Sequence, residues 1–220
     1  MFNNFDINQF VAFIVPVLFA VTIHEVAHGY VAYRMGDHTA KLAGRLTLNP
    51  IKHLDVFGSF LLPLALYLFS SPFIFGYAKP VPVNFANLRH YKKGVILVAS
   101  AGVLANFGLA AISGGLFQAI AWSQSSWSGT ILSPFFRDFL NMAAYSVLIN
   151  TVLAIFNLVP VPPLDGSKIL AVFLPDSLRI YYARTERFGM IIIFFLLITH
   201  TLGRFISFFI TPLLNFFLGR

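Results

Sequence analysis

Long apolar runs separated by short polar stretches set the pattern of this chain. A helix crossing the hydrocarbon of a bilayer needs about 20 mostly apolar residues. Residues 10–33 form the first such run, and residues 56–75 the second, interrupted by Pro63 and by Ser70-Ser71-Pro72. The third, residues 94–120, carries Ser100, Gly102, Ala105, Gly108, Gly114 and Gly115. Small residues of this kind let helices approach closely in lipid. Residues 139–158 make a fourth run. Residues 188–218 are too many for one ordinary span, and Gly203-Arg204 divides them, predicting a bent span or a hairpin. A short helix is expected over residues 164–174, between Pro163 and Pro175.

Composition narrows the class. Hydrophobic residues are 58% of the 220, charged residues only 10%, and 26 are Phe; mean hydropathy is +0.79. Ordinary soluble domains are about one quarter charged, and one of this size could not hide so much apolar surface. A cytosolic globular enzyme, a disordered chain and a nucleic-acid binder are thereby excluded. What remains is an all-α polytopic membrane protein with about 4–6 membrane segments. No linker long enough to separate two domains appears, so residues 1–220 read as one membrane domain, with a core over 10–175 and a C-terminal segment or hairpin over 188–218. The first run lacks a basic leader and is too long for a signal peptide, so a retained helix is expected. There is no Cys, which removes thiolate ligands and thiol nucleophiles.

The 15 Lys and Arg outnumber the 8 Asp and Glu. In a membrane protein such an excess orients the helices, because basic residues collect in cytoplasmic loops. Loops 34–55, 76–93 and 159–187 each hold three or more basic residues, whereas loop 121–138 holds only Arg137. Loops 34–55 and 76–93 cannot share a side if 56–75 crosses once. That segment therefore reads as re-entrant, which its prolines suit provided protein or water covers the freed backbone.

Candidate chemistry sits inside the first run, at His24-Glu25-Val26-Ala27-His28. Residues four apart share a helix face, so the two imidazoles of an H-E-x-x-H pattern can hold one Zn2+ while Glu25 can take a proton from an attacking water. The alternative is a buried His–Glu cluster or a proton relay. Ionisable groups in an apolar span are costly unless paired and mark function by default. A zinc hydrolase needs a third protein ligand and an open position. Asp37, Asp55, Asp138, Asp165, Asp176, Glu186 and the remaining histidines are the candidates. Asp165 stands out, because Asn157-Leu158-Val159-Pro160-Val161-Pro162-Pro163-Leu164-Asp165-Gly166 would hold an extended segment at membrane depth. It serves either as a ligand or as the cap of the helix that follows.

The pair HEVAH and NLVPVPPLDG resembles the signature of the site-2 protease family of intramembrane zinc metalloproteases. GRLTLNPIKHLD (44–55), GYAKPVPVN (76–84) and AGVLAN (101–106) resemble stretches of its small bacterial members without a PDZ domain. These matches run in family order over residues 24–166. The resemblance implies a three-helix core plus extra segments, His24, His28 and Asp165 as ligands of one Zn2+, Glu25 as catalytic base, and Asn157 near the metal, holding substrate or oxyanion, with a possible part for Asn106. It also implies a membrane protein with a transmembrane helix as substrate and the bacterial cytoplasmic (inner) membrane as location. Val103 and Val56 stand where the family often has Pro, which leaves the local backbone and the part played by Asn106 open.

For His28 and Asp165 to share an ion, the first and fourth spans must run in the same direction, which requires an odd number of crossings between them. A re-entrant 56–75 satisfies this. The expected orientation has the N-terminus outside and the metal toward the cytoplasm. The segment Lys79-Pro80-Val81-Pro82-Val83 either pairs with an unwound substrate as an added strand or is a loop stiffened by proline. His38, His53 and His90 are expected at the solvated surface, although the match of GRLTLNPIKHLD to the family leaves a structural role open for His53 and Asp55, and His200 is expected packed against the bundle or near the interface. Two other readings compete with a protease: a membrane transporter with an intramembrane metal or proton site, and a relative that binds helices without cutting them. A diiron oxidase is disfavoured, because six scattered His offer a single HxxxH pair.

Overall fold

The computed structural model describes residues 7–61, 65, 68, 76 and 78–219. Among them every regular element is helical. Four helices are long and apolar enough to cross a bilayer: α1 (Ile7–Arg34), α2 (Tyr91–Trp122), α3 (Ser133–Leu158) and, in the C-terminal region, Thr201–Leu218. Between α3 and the last of these lie α4 (Asp165–Phe173), α5 (Asp176–Arg184) and α6 (Glu186–Ile198), which makes Thr201–Leu218 α7. The 13 residues of α6 rise about 20 Å, too little to cross a hydrocarbon core of about 30 Å.

Side-chain contacts give the direction of each helix. His24 meets Asn106 and His28 meets Val98, so α2 runs against α1. Asn106 meets Asn150 and Ser113 meets Ser146, so α3 runs against α2 and parallel to α1. Leu202 of α7 packs with Val159 and Leu164 just beyond α3, while Gln118 Nε2 near the end of α2 donates to Phe217 O at 2.8 Å. Helix α7 thus runs alongside α2. The small residues Ala99, Ala101, Gly102, Ala110 and Gly114 of α2 are all buried, which brings the backbones together where lipid provides no hydrophobic drive for association.

The structure shifts some expected boundaries. The break in the C-terminal run falls at His200, whose φ of 56° is left-handed, and not at Gly203-Arg204. His200 is exposed at that corner. Most of the 56–75 segment, for which re-entry was expected, lies outside the described residues, and only its start is seen, as a π-helical turn at Val56–Leu61. His53 corrects the expectation of a solvated histidine: it is fully buried and donates from Nε2 to Thr47 O at 2.8 Å.

Residues 79–87 form a strap lying against the end of α1. Lys79 N–H donates to His53 O at 2.9 Å, and Lys79 O accepts from Arg45 Nη2 at 2.7 Å. At the other end Asp37, fully buried, accepts from Asn84 N–H at 2.8 Å, from Asn87 Nδ2 at 3.0 Å, and from the N–H and hydroxyl of Thr39. Between these anchors the strap closes on Gly29, where a Cβ would stand 2.7 Å from both Val81 and Leu46.

Burial alone would push the Asp37 carboxyl up, but these hydrogen bonds outweigh it and hold the group below its usual range. A depressed folded-state value gives a contribution that is complete above the ordinary carboxylate pKa and is lost as pH falls through the folded value. Asp37→Asn should therefore destabilise the detergent-solubilised protein at neutral pH by about 1–3 kcal/mol. Melting curves from pH 7 to 3 should show the gap between wild type and variant closing only at the acid end, and a gap independent of pH would contradict this account.

Candidate metal centre

Helix α1 places His24 and His28 one turn apart on the face turned to α2, both largely buried. The third member arrives from the turn after α3. There Val159 N–H returns to Phe156 O, Val161 N–H to Val159 O and Leu164 N–H to Val161 O. This tight path sets Asp165 as the first residue of α4, 4% exposed and aimed at the two imidazoles. Asp165 Oδ2 lies 3.2 Å from His24 Nε2 and 2.9 Å from His28 Nε2. The two Nε2 atoms are 3.0 Å apart.

The partners of the remaining atoms define what the centre can hold. His28 Nδ1 faces Val98 O at 2.7 Å. A carbonyl oxygen only accepts, so this nitrogen carries the proton. His24 Nδ1 faces Asn106 Oδ1 at 2.6 Å. Asn106 must present its oxygen there, because its Nδ2 donates to Asn150 Oδ1 at 2.8 Å and to Ala20 O at 3.3 Å. A neutral ring at either position therefore points an Nε2 lone pair inward. Asp165 Oδ2, buried, has no hydrogen-bond donor among the described residues, while its Oδ1 accepts from Lys168 Nζ at 3.0 Å. With both rings neutral, three lone pairs converge, an arrangement that a cation completes. Tetrahedral bonds of about 2.0–2.1 Å would set ligand atoms about 3.3 Å apart, close to the separations seen. The donor set, two imidazoles and one carboxylate, suits zinc.

Glu25, half-buried on the neighbouring face of α1, accepts a hydrogen bond from Val81 N–H of the strap at 2.7 Å. Among the described residues the group whose ligand atoms all lie within 4.8 Å of one another is His24, His28 and Asp165, without Glu25. Of the other acidic candidates, Asp37 is taken up by the strap anchor, Asp55 accepts from Gly58 N–H in the π-helical turn, and Asp176 pairs with Arg179. Asn157 donates to Leu153 O in its own helix at 3.0 Å and remains half-buried. Asn106 corrects the expectation of a substrate contact: fully buried, with both ends of its amide engaged, it lies behind His24. The sequence assigns no site role to Asn150 or Lys168 and marks Gly102 only as a small residue for helix packing, though all three lie in or next to the cluster. Asn150 was open to notice as a polar residue in an apolar span; the other two become visible only in contact.

Gly102 of α2 faces the imidazoles across the helix interface. A Cβ there would lie 2.5 Å from His24 Cε1 and from His28 Nε2, closer than the rings can tolerate without moving. Gly102→Ala should therefore weaken metal binding by about 10- to 100-fold, the range found when the groups that orient ligands are disturbed. Chelator competition on purified protein measures this, and unchanged affinity would show that the rings have slack.

Comparison with known proteins agrees with this chemistry. The profile described as Peptidase family M50 matches residues 114–200, which contain Asp165. YwhC of Bacillus subtilis (strain 168), provisionally named a zinc metalloprotease, is 37% identical over 202 residues, covering 92% of this chain and 85% of its own. Rip2 of Mycolicibacterium smegmatis, provisionally named in the same way, is 30% identical over 201 residues, covering 90% of this chain and 71% of its own. Rip2 of Mycobacterium tuberculosis (strain H37Rv) is 28% identical over 198 residues, covering 88% and 69%. No solved structure matches at a significant level. With a relative 37% identical aligned along most of both chains, and with an all-helical membrane architecture, this chain belongs to peptidase family M50, the site-2 protease family of membrane metalloproteases.

Proposed function

We propose that the protein is an intramembrane zinc endopeptidase that hydrolyses peptide bonds in or near the transmembrane segments of membrane proteins. The observation that carries this reading is the convergence of His24 Nε2, His28 Nε2 and Asp165 Oδ2, with the Nδ1 of each ring engaged by an acceptor and Glu25 following His24 on the same helix. In this reading those three residues hold one Zn2+ per chain. Zinc bound there supplies Lewis acidity toward the scissile carbonyl and lowers the pKa of a coordinated water toward about 7.

The other work falls to the chain. Glu25 takes the proton of the attacking water and returns it to the leaving amine. Val81 N–H, bonded to Oε2, fixes the carboxylate and leaves Oε1 for that exchange. Asn157 faces the oxyanion in this scheme, after release of its amide from Leu153 O. The strap receives an unwound substrate as an added strand. At residues 79–82 no N–H remains for such pairing: those of Lys79 and Val81 bond inward, and Pro80 and Pro82 have none. The substrate must then donate its own N–H groups to strap carbonyls.

The same reading treats residues 1–220 as one membrane-embedded protease domain in a bacterial cytoplasmic membrane. The site end of the bundle faces the cytoplasm, supported by Arg34, Arg45, Arg89, Lys92 and Lys93 gathered at that end.

Glu25→Gln should retain zinc and lower cleavage of a membrane-spanning reporter by at least about 100-fold, the scale of a lost general base. His24→Ala and Asp165→Ala should lose both metal and cleavage. Metal analysis of the purified proteins, together with fragment mapping after co-expression with single-span substrates, reads both quantities. Full cleavage by Glu25→Gln would remove the protease reading, and ion flux through a Glu25→Gln protein in vesicles would favour the transporter. Iron in place of zinc would reopen oxidase chemistry.

A further inference from the structure

Behind His24 a line of polar groups crosses the bundle from α1 to α3. Asn106 Oδ1 accepts from His24 Nδ1 at 2.6 Å, Asn106 Nδ2 donates to Asn150 Oδ1 at 2.8 Å, and Asn150 Nδ2 donates to Ser146 O at 2.9 Å and to Ser146 Oγ at 3.3 Å. Ser146 Oγ in turn meets Ser113 Oγ at 2.7 Å. Asn106 is fully buried and Asn150 is 1% exposed, so neither can exchange these partners for water.

The line has a polarity. A backbone carbonyl, Ser146 O, can only accept, so Asn150 must turn its NH2 toward it and its oxygen toward Asn106. Asn106 must then present NH2 to Asn150 and oxygen to His24. A neutral His24 must then hold its proton on Nδ1 and leave Nε2 bare. The direction of one carbonyl on α3 thereby reaches the cluster on α1 through two amides. Without Asn150 Oδ1, only Ala20 O at 3.3 Å opposes a flip of the Asn106 amide. A flipped amide would offer N–H to His24 Nδ1 and drive the proton to Nε2, where it blocks the inward lone pair.

We propose that Asn150 is a positioning residue that, through Asn106, fixes the tautomer of His24 and so prepares Nε2 as a metal ligand. This rests on the metal-centre reading above. Its consequence for the free imidazole can nevertheless be measured without metal. The two most useful substitutions are Asn150→Leu, which removes the acceptor, and Asn150→Asp. In an apolar span an aspartic acid stays protonated, with a carbonyl for Asn106 and a hydroxyl for Ser146 O.

The test uses full-length protein in detergent, labelled with 15N-histidine and stripped of metal, with His24 assigned by its absence in His24→Gln. Long-range 1H–15N spectra should show the Nδ1–H tautomer in wild type and Asn150→Asp and the Nε2–H tautomer in Asn150→Leu. Zinc affinity by chelator competition should fall about 10- to 100-fold in Asn150→Leu and recover in Asn150→Asp. Thr151→Val removes a buried hydroxyl that bonds only within its own helix, to Val147 O, and should change neither reading. If Asn150→Leu fails to fold, Asn150→Ser, whose hydroxyl is too short to reach Asn106, takes its place with the same expectation. A variant lacking the acceptor that keeps the Nδ1–H tautomer and wild-type affinity would overturn the proposal. Should wild type bind no zinc at all, the protease reading falls while the tautomer spectra still decide this one.

Discussion

Bare lone pairs inside an apolar bundle are the constraint on which this structure turns. His24 Nε2, His28 Nε2 and Asp165 Oδ2 meet within 3.2 Å, largely buried, where polar atoms without a partner are costly. Each must be held by groups that prevent it from acquiring a proton or turning away. Val98 O and Asn106 Oδ1 fix the two rings, and Lys168 Nζ holds the far oxygen of Asp165. These three restraints come from α2 and α4, so the cluster is only as well formed as the packing of the helices around it.

That requirement explains the otherwise unusual economy of side chains at the α1–α2 contact. Gly102 gives the imidazoles space that any other residue would occupy. The parallel course of α1 and α3, with α2 between them in the opposite sense, brings the turn 159–164 to the level of His28. The prolines of that turn end α3 and prevent its continuation, so that α4 begins with Asp165 facing inward. The strap supplies the last constraint. Anchored at His53, Arg45 and Asp37, it delivers one backbone N–H to Glu25 and covers the end of α1. With Pro80 and Pro82 lacking an N–H and those of Lys79 and Val81 bonded inward, no further backbone N–H remains over residues 79–82.

Relatedness and geometry bear on different parts of this picture. The aligned relatives and the family profile establish a membrane metalloprotease family. They carry no information about which atom of His24 bears the proton or what the strap does with its backbone. Those matters follow from acceptors that cannot donate and prolines that have no N–H.

Much of the chain was legible without coordinates, because lipid removes most structural choices: an apolar run of sufficient length must be helical to satisfy its own backbone. The long helices α1, α2 and α3 follow from that, as does the short helix ending before Pro175. The i, i+4 spacing puts His24 and His28 on one face whatever the fold. The break at His200 was misplaced because a left-handed residue at a helix corner leaves little trace when it is not glycine. The burial of His53 was not legible because it comes with tertiary contacts, its ring bonded to Thr47 O and its backbone oxygen to Lys79 of the strap, 26 residues on. Which carboxylate completes the cluster was undetermined by spacing, since several acids lay within reach of some fold; it took helix direction to select Asp165. The part played by Asn106 stayed open for a related reason. A sequence records that an amide is present, but only packing decides which neighbour faces each of its ends, and for an amide buried like Asn106 that choice sets which nitrogen of the neighbouring histidine carries the proton.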